Sequence, residues 1–255
     1  MRADFTLDVF IRLLTTLQCQ GFSFQSFENF FKLPEKKVII LRHDVDRLPT
    51  NALTMARREH AMGVAATYYF RTVRDNWDIQ IARAIFGLGH EIGYHYENME
   101  TCNGDLQSAI KNFQTNLTKI RLVYPVKTIC MHGSPLSKWD NRDLWKTYDY
   151  RDYGIIAEPY FDVDFKEVLY LTDTGRRWDG DRVSVRDKVS STSALCAQYR
   201  FKHTHDIIDA AEKGLLPDKI MLNVHPQRWT NNPVSWMREL ILQNMKNVVK
   251  MFYVK

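Results

Sequence analysis

Short apolar runs alternate with helix-like patterns along most of this chain, and this alternation constrains the fold more than any other feature. Runs rich in β-branched and aromatic residues, each too short for a buried helix, lie at 38–41, 65–70, 91–95, 127–131 and 220–224. Apolar spacings of three and four, together with helix-ending Gly and Pro residues, predict helices at 50–62, 77–88, 106–122, 206–213 and 233–250. The alternation predicts an α/β fold whose parallel strands are joined by right-handed crossovers, in a barrel or in an open sheet.

The composition is that of one ordinary globular domain. Hydrophobic residues make up 45% and charged residues 25% of the 255 residues, which excludes a disordered chain. No linker or change of composition divides the chain, so we predict a single domain over 1–255, with 1–35 as an N-terminal helical extension packed on it. No apolar run approaches the roughly 20 residues of a membrane span. Acidic residues interrupt the first apolar stretch, so we expect no signal peptide and a cytoplasmic location.

Charge and cysteine content narrow the function classes further. The four cysteines are far apart in the sequence and form no CxxC pair, which predicts reduced thiols: Cys19, Cys102, Cys130 and Cys196. The net charge is +5, but the basic residues are dispersed along the chain. We therefore expect no nucleic-acid partner, while a cleft that attracts an anionic substrate stays open as an alternative.

Four of the eight histidines end apolar runs. These are His43, His95, His132 and His225. Because the carboxyl ends of parallel strands share one face of an α/β fold, we expect the four side chains to converge there. Asp44 and Asp46 follow the first run and are two residues apart, so both carboxylates can face one cavity.

Histidine and aspartate together predict a metal site at this face. Imidazole and carboxylate suit a borderline divalent cation, with Zn²⁺ favoured and Mn²⁺, Co²⁺ or Fe²⁺ as alternatives. A carboxylate beside the metal that does not coordinate it can serve as a general base.

The sequence also resembles a known family, the polysaccharide deacetylases of the NodB-homology type, carbohydrate esterase family 4. The segment Gly-His-Glu-Ile-Gly-Tyr-His at 89–95 is similar to the segment that leads into the family's second motif. Arg-His-Asp-Val-Asp at 42–46 resembles a variant of the first motif, and Leu-Asn-Val-His-Pro at 222–226 resembles the late motif. The resemblance spans about 38–229 and implies a distorted (β/α) barrel with parallel strands and outer helices.

The resemblance also implies roles for individual residues. Asp44 would be the catalytic base, Asp46 and His95 metal ligands, and His225 a catalytic histidine. The sequence departs from the family where a further histidine ligand is usual, because that position is Met99. Glu97 or His132 could replace it, and we favour His132 because it follows a strand. The family's third motif, with its Arg and Pro, is not preserved.

These observations predict a metal-dependent hydrolase that removes an N-acetyl or other acyl group from an amino sugar. The expected substrate is a small molecule or a lipid-linked or nucleotide-linked amino sugar of polysaccharide biosynthesis. Arg42, Trp178 and Trp229 are the candidate substrate-binding residues, because an arginine lies beside the site and indole rings stack on sugars. Two alternatives stay open for them: Arg42 could orient Asp44, and the two tryptophans could belong to the core or cover a loop. Two alternatives remain open: hydrolysis of another C–N bond, in an N-formyl sugar or a ureide, and a degenerate carbohydrate-binding domain without activity. The oligomeric state is also open.

Overall fold

The computed structural model describes residues 3–73, 77–134, 137–179, 189, 195 and 198–253. Seven strands, all parallel to their neighbours, form one sheet. They are β1 (Ser23–Gln25), β2 (Val38–Val45), β3 (Thr67–Phe70), β4 (Glu91–Tyr96), β5 (Ile129–Met131), β6 (Leu169–Thr172) and β7 (Lys219–Val224). Their order is β5-β4-β3-β2-β7-β6, and β1 pairs with the first residues of β2. The sheet curls and is surrounded by helices, which confirms the predicted distorted (β/α) barrel.

Helices follow most of the strands, as the alternation predicts. They are α1 (Leu7–Cys19), α2 (Phe27–Lys32), α3 (Pro49–Ala61), α4 (Ile79–Gly87), α5 (Asn98–Thr101), α6 (Leu106–Arg121), α7 (Pro159–Asp162), α8 (Thr204–Glu212) and α9 (Pro233–Tyr253). Their ends reflect local chemistry. The Asp105 side chain accepts a hydrogen bond from Ser108 N at the start of α6, and the Thr6 hydroxyl accepts one from Val9 N at the start of α1.

Strand β2 lies at the centre of the sheet, and all eight of its residues are buried. It pairs with β7 along Val38–His43 and with β3 along Arg42–Val45. The predicted strand at 38–41 is therefore too short, since pairing on both sides continues it to Val45. Because side chains alternate along a strand, Arg42 and Asp44 project to one side and His43 to the other.

The N-terminal segment is part of the sheet as well as a helical cover. Its β1 pairs with β2 in the register Ser23 to Val38, so the predicted helical extension also contributes a strand. Helix α1 buries one apolar face completely, including Phe10, Leu13 and Leu14. None of the described helices has a stretch that is both long and apolar enough to cross a membrane.

Candidate active site

The candidate site lies at the carboxyl ends of four strands. In the order of the sheet, His132 follows β5, His95 is the fifth residue of β4, Asp44 and Asp46 are at the end of β2, and His225 follows β7. Three of the four predicted histidines therefore meet at one edge of the sheet, together with both aspartates.

Asp46, His95 and His132 form the centre of the site. Asp46 Oδ1 is 3.5 Å from His95 Nε2 and 3.5 Å from His132 Nε2. Each imidazole turns its Nε2 inward because its Nδ1 is engaged elsewhere, that of His95 by the carbonyl of Cys130 at 2.9 Å and that of His132 by Ser134 Oγ at 2.9 Å. The second contact of each ring fixes which nitrogen faces the cavity.

This arrangement fits a divalent transition metal. Ligand atoms that surround zinc tetrahedrally at about 2.1 Å are about 3.4 Å apart, close to the two measured separations. Asp46 Oδ1 is buried and has no hydrogen-bond partner, although a buried carboxylate oxygen is costly when it is unpaired. Two neutral imidazole nitrogens and a carboxylate form a donor set that zinc, manganese, cobalt or iron accepts.

The electrostatics of the site favour an ionised Asp46. Burial by itself would raise the pKa of this carboxyl, but the neighbouring His132, His95 and His225 outweigh burial and hold the pKa well below its usual range. For His95, burial would lower the pKa, whereas Asp44 and Asp46 raise it. Without a metal, the two carboxylates therefore favour the protonated form of His95.

The two residues that could replace the ligand missing at Met99 have different positions. Met99 is buried in the hydrophobic core on α5. Glu97 lies behind His132, with Oε2 3.2 Å from its Nδ1, and accepts two hydrogen bonds from Arg71. Only His132 presents an atom to Asp46 and His95, whereas Glu97 orients His132 from the side that faces away from them.

Asp44 lies beside this centre and is held by Arg42. Arg42 donates Nε to Oδ1 at 3.1 Å and Nη2 to Oδ2 at 2.9 Å, and Asn223 donates to Oδ2 at 3.1 Å. Burial raises the pKa of Asp44, but the Arg42 guanidinium more than compensates and leaves it below its usual value. Arg42 is 0% exposed, so the expectation that it contacts substrate is wrong. It positions Asp44 instead.

A second group of metal-binding residue types, Asp44, His95 and Cys130, also lies within reach of one point. Both oxygens of Asp44 already accept hydrogen bonds from Arg42. Asp46 Oδ1 has no such partner. The set with Asp46 and His132 is therefore the better candidate for a metal.

His225 faces the centre from the opposite side and is oriented by Asp173, a residue that the sequence analysis missed. His225 Nδ1 is 2.6 Å from Asp173 Oδ1, and its Nε2 is 3.8 Å from Asp46 Oδ2. Burial raises the pKa of Asp173, but Arg228 and His225 outweigh it and keep the carboxyl ionised. Asp173 directly follows β6, so the strand-end argument that identified the histidines could also have identified this residue.

Trp178 and Trp229, the predicted sugar-stacking residues, belong to the core. They are 4% and 2% exposed. The Trp229 indole donates to Asp173 Oδ2 at 2.8 Å, the Trp178 indole donates to Thr204 Oγ1 at 2.9 Å, and both rings pack against Phe5. Neither ring offers a face to a ligand, so the predicted stacking role is wrong. Trp229 instead helps to hold the carboxylate that orients His225.

His43 is the predicted histidine that does not join the site. It lies on the other side of β2, where its Nε2 is 2.7 Å from Glu59 Oε1 and its ring stacks on Tyr68 with a centroid separation of 4.3 Å. His43 and Glu59 are both 0% exposed. The prediction that four histidines converge is wrong for this one, because β2 continues through it.

Comparison with known proteins gives structural neighbours only. No family model matches the chain, and no curated protein matches it in sequence. A CE4 family pseudoenzyme from Bacillus anthracis is 15% identical with a TM-score of 0.47, over 85% of this chain and 62% of that chain. A CE4 esterase from Streptococcus mutans is 13% identical with a TM-score of 0.47, over 91% and 90%. The family 4 carbohydrate esterase from Streptomyces lividans, in complex with acetate, is 15% identical with a TM-score of 0.41, over 83% and 90%.

Proposed function

We propose that this protein is a metal-dependent hydrolase that removes an acyl group, in the first instance N-acetyl, from an amino sugar or its lipid-linked or nucleotide-linked conjugate. The observation that supports it most is the convergence of Asp46, His95 and His132 around one unpartnered carboxylate oxygen. Asp44 and His225 flank that centre from two sides. A metal centre between a carboxylate and an imidazole provides the Lewis acid, general base and general acid that metal-dependent amide hydrolysis uses.

Asp46, His95 and His132 would hold the metal, with zinc favoured and manganese, cobalt or iron as alternatives. A divalent metal there would supply Lewis acidity, which polarises the acyl carbonyl and makes water more acidic. Asp44, kept ionised by Arg42, would accept the proton of the attacking water. His225 would donate a proton from Nε2 to the departing amine, and Asp173 would stabilise the imidazolium form of His225.

Metal content and acyl release test this function together. We expect zinc-reconstituted protein to contain one metal per chain by elemental analysis. We also expect it to release acetate from N-acetylglucosamine, its oligomers or UDP-N-acetylglucosamine. His95→Ala should lose both properties. His60→Ala is the matched control, because His60 is exposed and bonded to the carbonyl of Leu88, away from the site.

The outcomes separate the alternatives. Release of formate or ammonia instead of acetate would identify another C–N substrate for the same centre. A protein that takes up no metal under any condition would contradict the proposal. A protein that binds metal and sugar but releases no product would be a carbohydrate-binding domain.

A further inference from the structure

The last helix, α9, packs on the protein with its polar side inward. Glu239 and Gln243 are 7% and 4% exposed and are its buried residues among the described side chains. Glu239 accepts hydrogen bonds from Arg47 Nη2 at 3.2 and 3.3 Å, and Asn247 donates to the carbonyl of Gly175 at 2.9 Å. The face that anchors the helix to the protein is therefore held largely by polar contacts.

The outward face of α9 is aliphatic. Its exposed residues are Val234 (77%), Met237 (49%), Ile241 (53%), Met245 (62%), Val248 (50%) and Val249 (47%). A helix on the surface of a monomer normally has the opposite arrangement, with its apolar stripe toward the core. A continuous apolar stripe that faces water marks an interaction surface.

The spacing of this stripe identifies the kind of partner. Val234, Ile241 and Val248 recur every seven residues, and Met237 and Met245 lie between them, so the mean spacing is 3.5 residues. Val234, Ile241 and Val248 match the β-branched position of a two-stranded coiled coil, and Met237 matches its second position, which is Asn244 in the next repeat, beside Met245. The same helix of a second copy would present the matching pattern.

The exposed area is sufficient for such a pair. At roughly 100 Å² for each half-exposed aliphatic side chain, complete burial of all six would remove about 600 Å² of surface per chain. Two copies would then bury about 1,200 Å², the lower limit for a specific protein–protein interface.

The charges on α9 favour a second copy over a lipid surface. Among its described side chains, Arg238 and Lys246 are the exposed charged residues, and no exposed aromatic ring accompanies the aliphatic stripe. Helices that lie on anionic membranes carry many basic residues, with aromatic rings among their buried anchors.

We propose that α9 is a dimerisation helix and that two copies of this chain associate through the stripe from Val234 to Val249. This inference is independent of the proposed hydrolase activity. Paired helices would cover the aliphatic side chains while Glu239 and Asn247 keep α9 fixed to its own chain.

Sedimentation of the full chain over the micromolar range tests the proposal. We expect the mass of two chains for the unmodified protein and of one chain for the double variant Ile241→Lys, Val248→Lys. Leu122→Lys is the matched control and should stay dimeric, because Leu122 is 68% exposed but follows α6. Circular dichroism should show unchanged helix content, and Ile241→Ser provides a milder variant if the double variant does not fold.

Two results would overturn the proposal. One is an oligomeric state that does not depend on the stripe, that is, an unmodified protein that is monomeric at every concentration or a dimer that survives in both Ile241 variants. The other is a monomer that floats with phosphatidylglycerol vesicles but not with phosphatidylcholine vesicles, which would assign the stripe to a membrane surface.

Discussion

Two clusters of histidines and carboxylates lie on opposite sides of β2. On one side, His95 and His132 share Asp46 at the candidate site. On the other, His43 is 2.7 Å and His90 is 3.8 Å from the oxygens of Glu59. Both clusters contain two imidazoles and one acid, so residue type alone does not distinguish them.

Solvent access does distinguish them. The Asp46 and His132 side chains are 19% and 15% exposed. Glu59 and both of its histidines have fully buried side chains, and the second oxygen of Glu59 accepts a hydrogen bond from Tyr68 at 2.7 Å. A histidine–carboxylate cluster is therefore a candidate site where its side chains are partly exposed, and a part of the core where they are fully buried.

Substitutions of the neighbouring residues Asp44 and His43 are expected to give the largest difference in kcat. Asp44→Asn should lower kcat about a thousandfold, or roughly 4 kcal/mol, because a general base is lost while the metal ligands stay. His43→Asn, on the other face of β2, should leave kcat unchanged and lower only the free energy of unfolding. Steady-state acetate release and metal content measure this, and an active Asp44→Asn variant would show that the base is assigned wrongly.

The two acids should differ in their contributions to stability. Glu59→Ala should lower the free energy of unfolding by about 3 kcal/mol, because it leaves two buried imidazoles without their partner. Asp46→Ala should cost less than Glu59→Ala in metal-free protein, because the Asp46 side chain is partly exposed whereas that of Glu59 is fully buried. Urea unfolding of the two metal-free variants compares them, and equal losses would mean that both clusters are structural.

Within the site, Glu97 is expected to contribute to zinc affinity without being a ligand. Glu97→Gln removes the charge behind His132 and should weaken zinc affinity about tenfold, because carboxylates that orient a ligand histidine contribute at this level. Competition with a zinc chelator measures the change. Glu212→Gln is the matched control, because Glu212 is an exposed residue that pairs with Arg12 at 3.5 Å, away from the site. An equal loss of zinc affinity in Glu212→Gln would contradict the role assigned to Glu97.

The smallest effect concerns pH. Burial lowers the pKa of His95, but Asp44 and Asp46 outweigh it and raise the pKa above the ordinary 6.5. Its contribution to the stability of metal-free protein is therefore complete below pH 6.5 and is lost as pH rises through the folded value. Zinc needs neutral imidazoles, so stabilisation by zinc should grow over the same range. Thermal unfolding at a series of pH values, with and without zinc, measures both pH dependences. His95→Gln should weaken the pH dependence of the stability of metal-free protein.

Much of the fold and part of the site could be predicted from the sequence. The strand-end argument grouped His95, His132 and His225 correctly in space, because parallel strands end at one edge. It failed for His43, since pairing with β3 and β7 extends β2 beyond the apolar run. It also overlooked Asp173, which is not a histidine but ends β6 in the same way.

Local patterns by themselves determined the alternating strands and helices, since burial and backbone hydrogen bonding impose periods that can be read along the chain. Only the tertiary structure decided which imidazole nitrogen faces the cavity, that Arg42 and Trp229 serve as buried supports, and that the apolar face of α9 points outward. Each of these depends on the packing of segments far apart in sequence. The periodic patterns along the sequence contain no information about that packing.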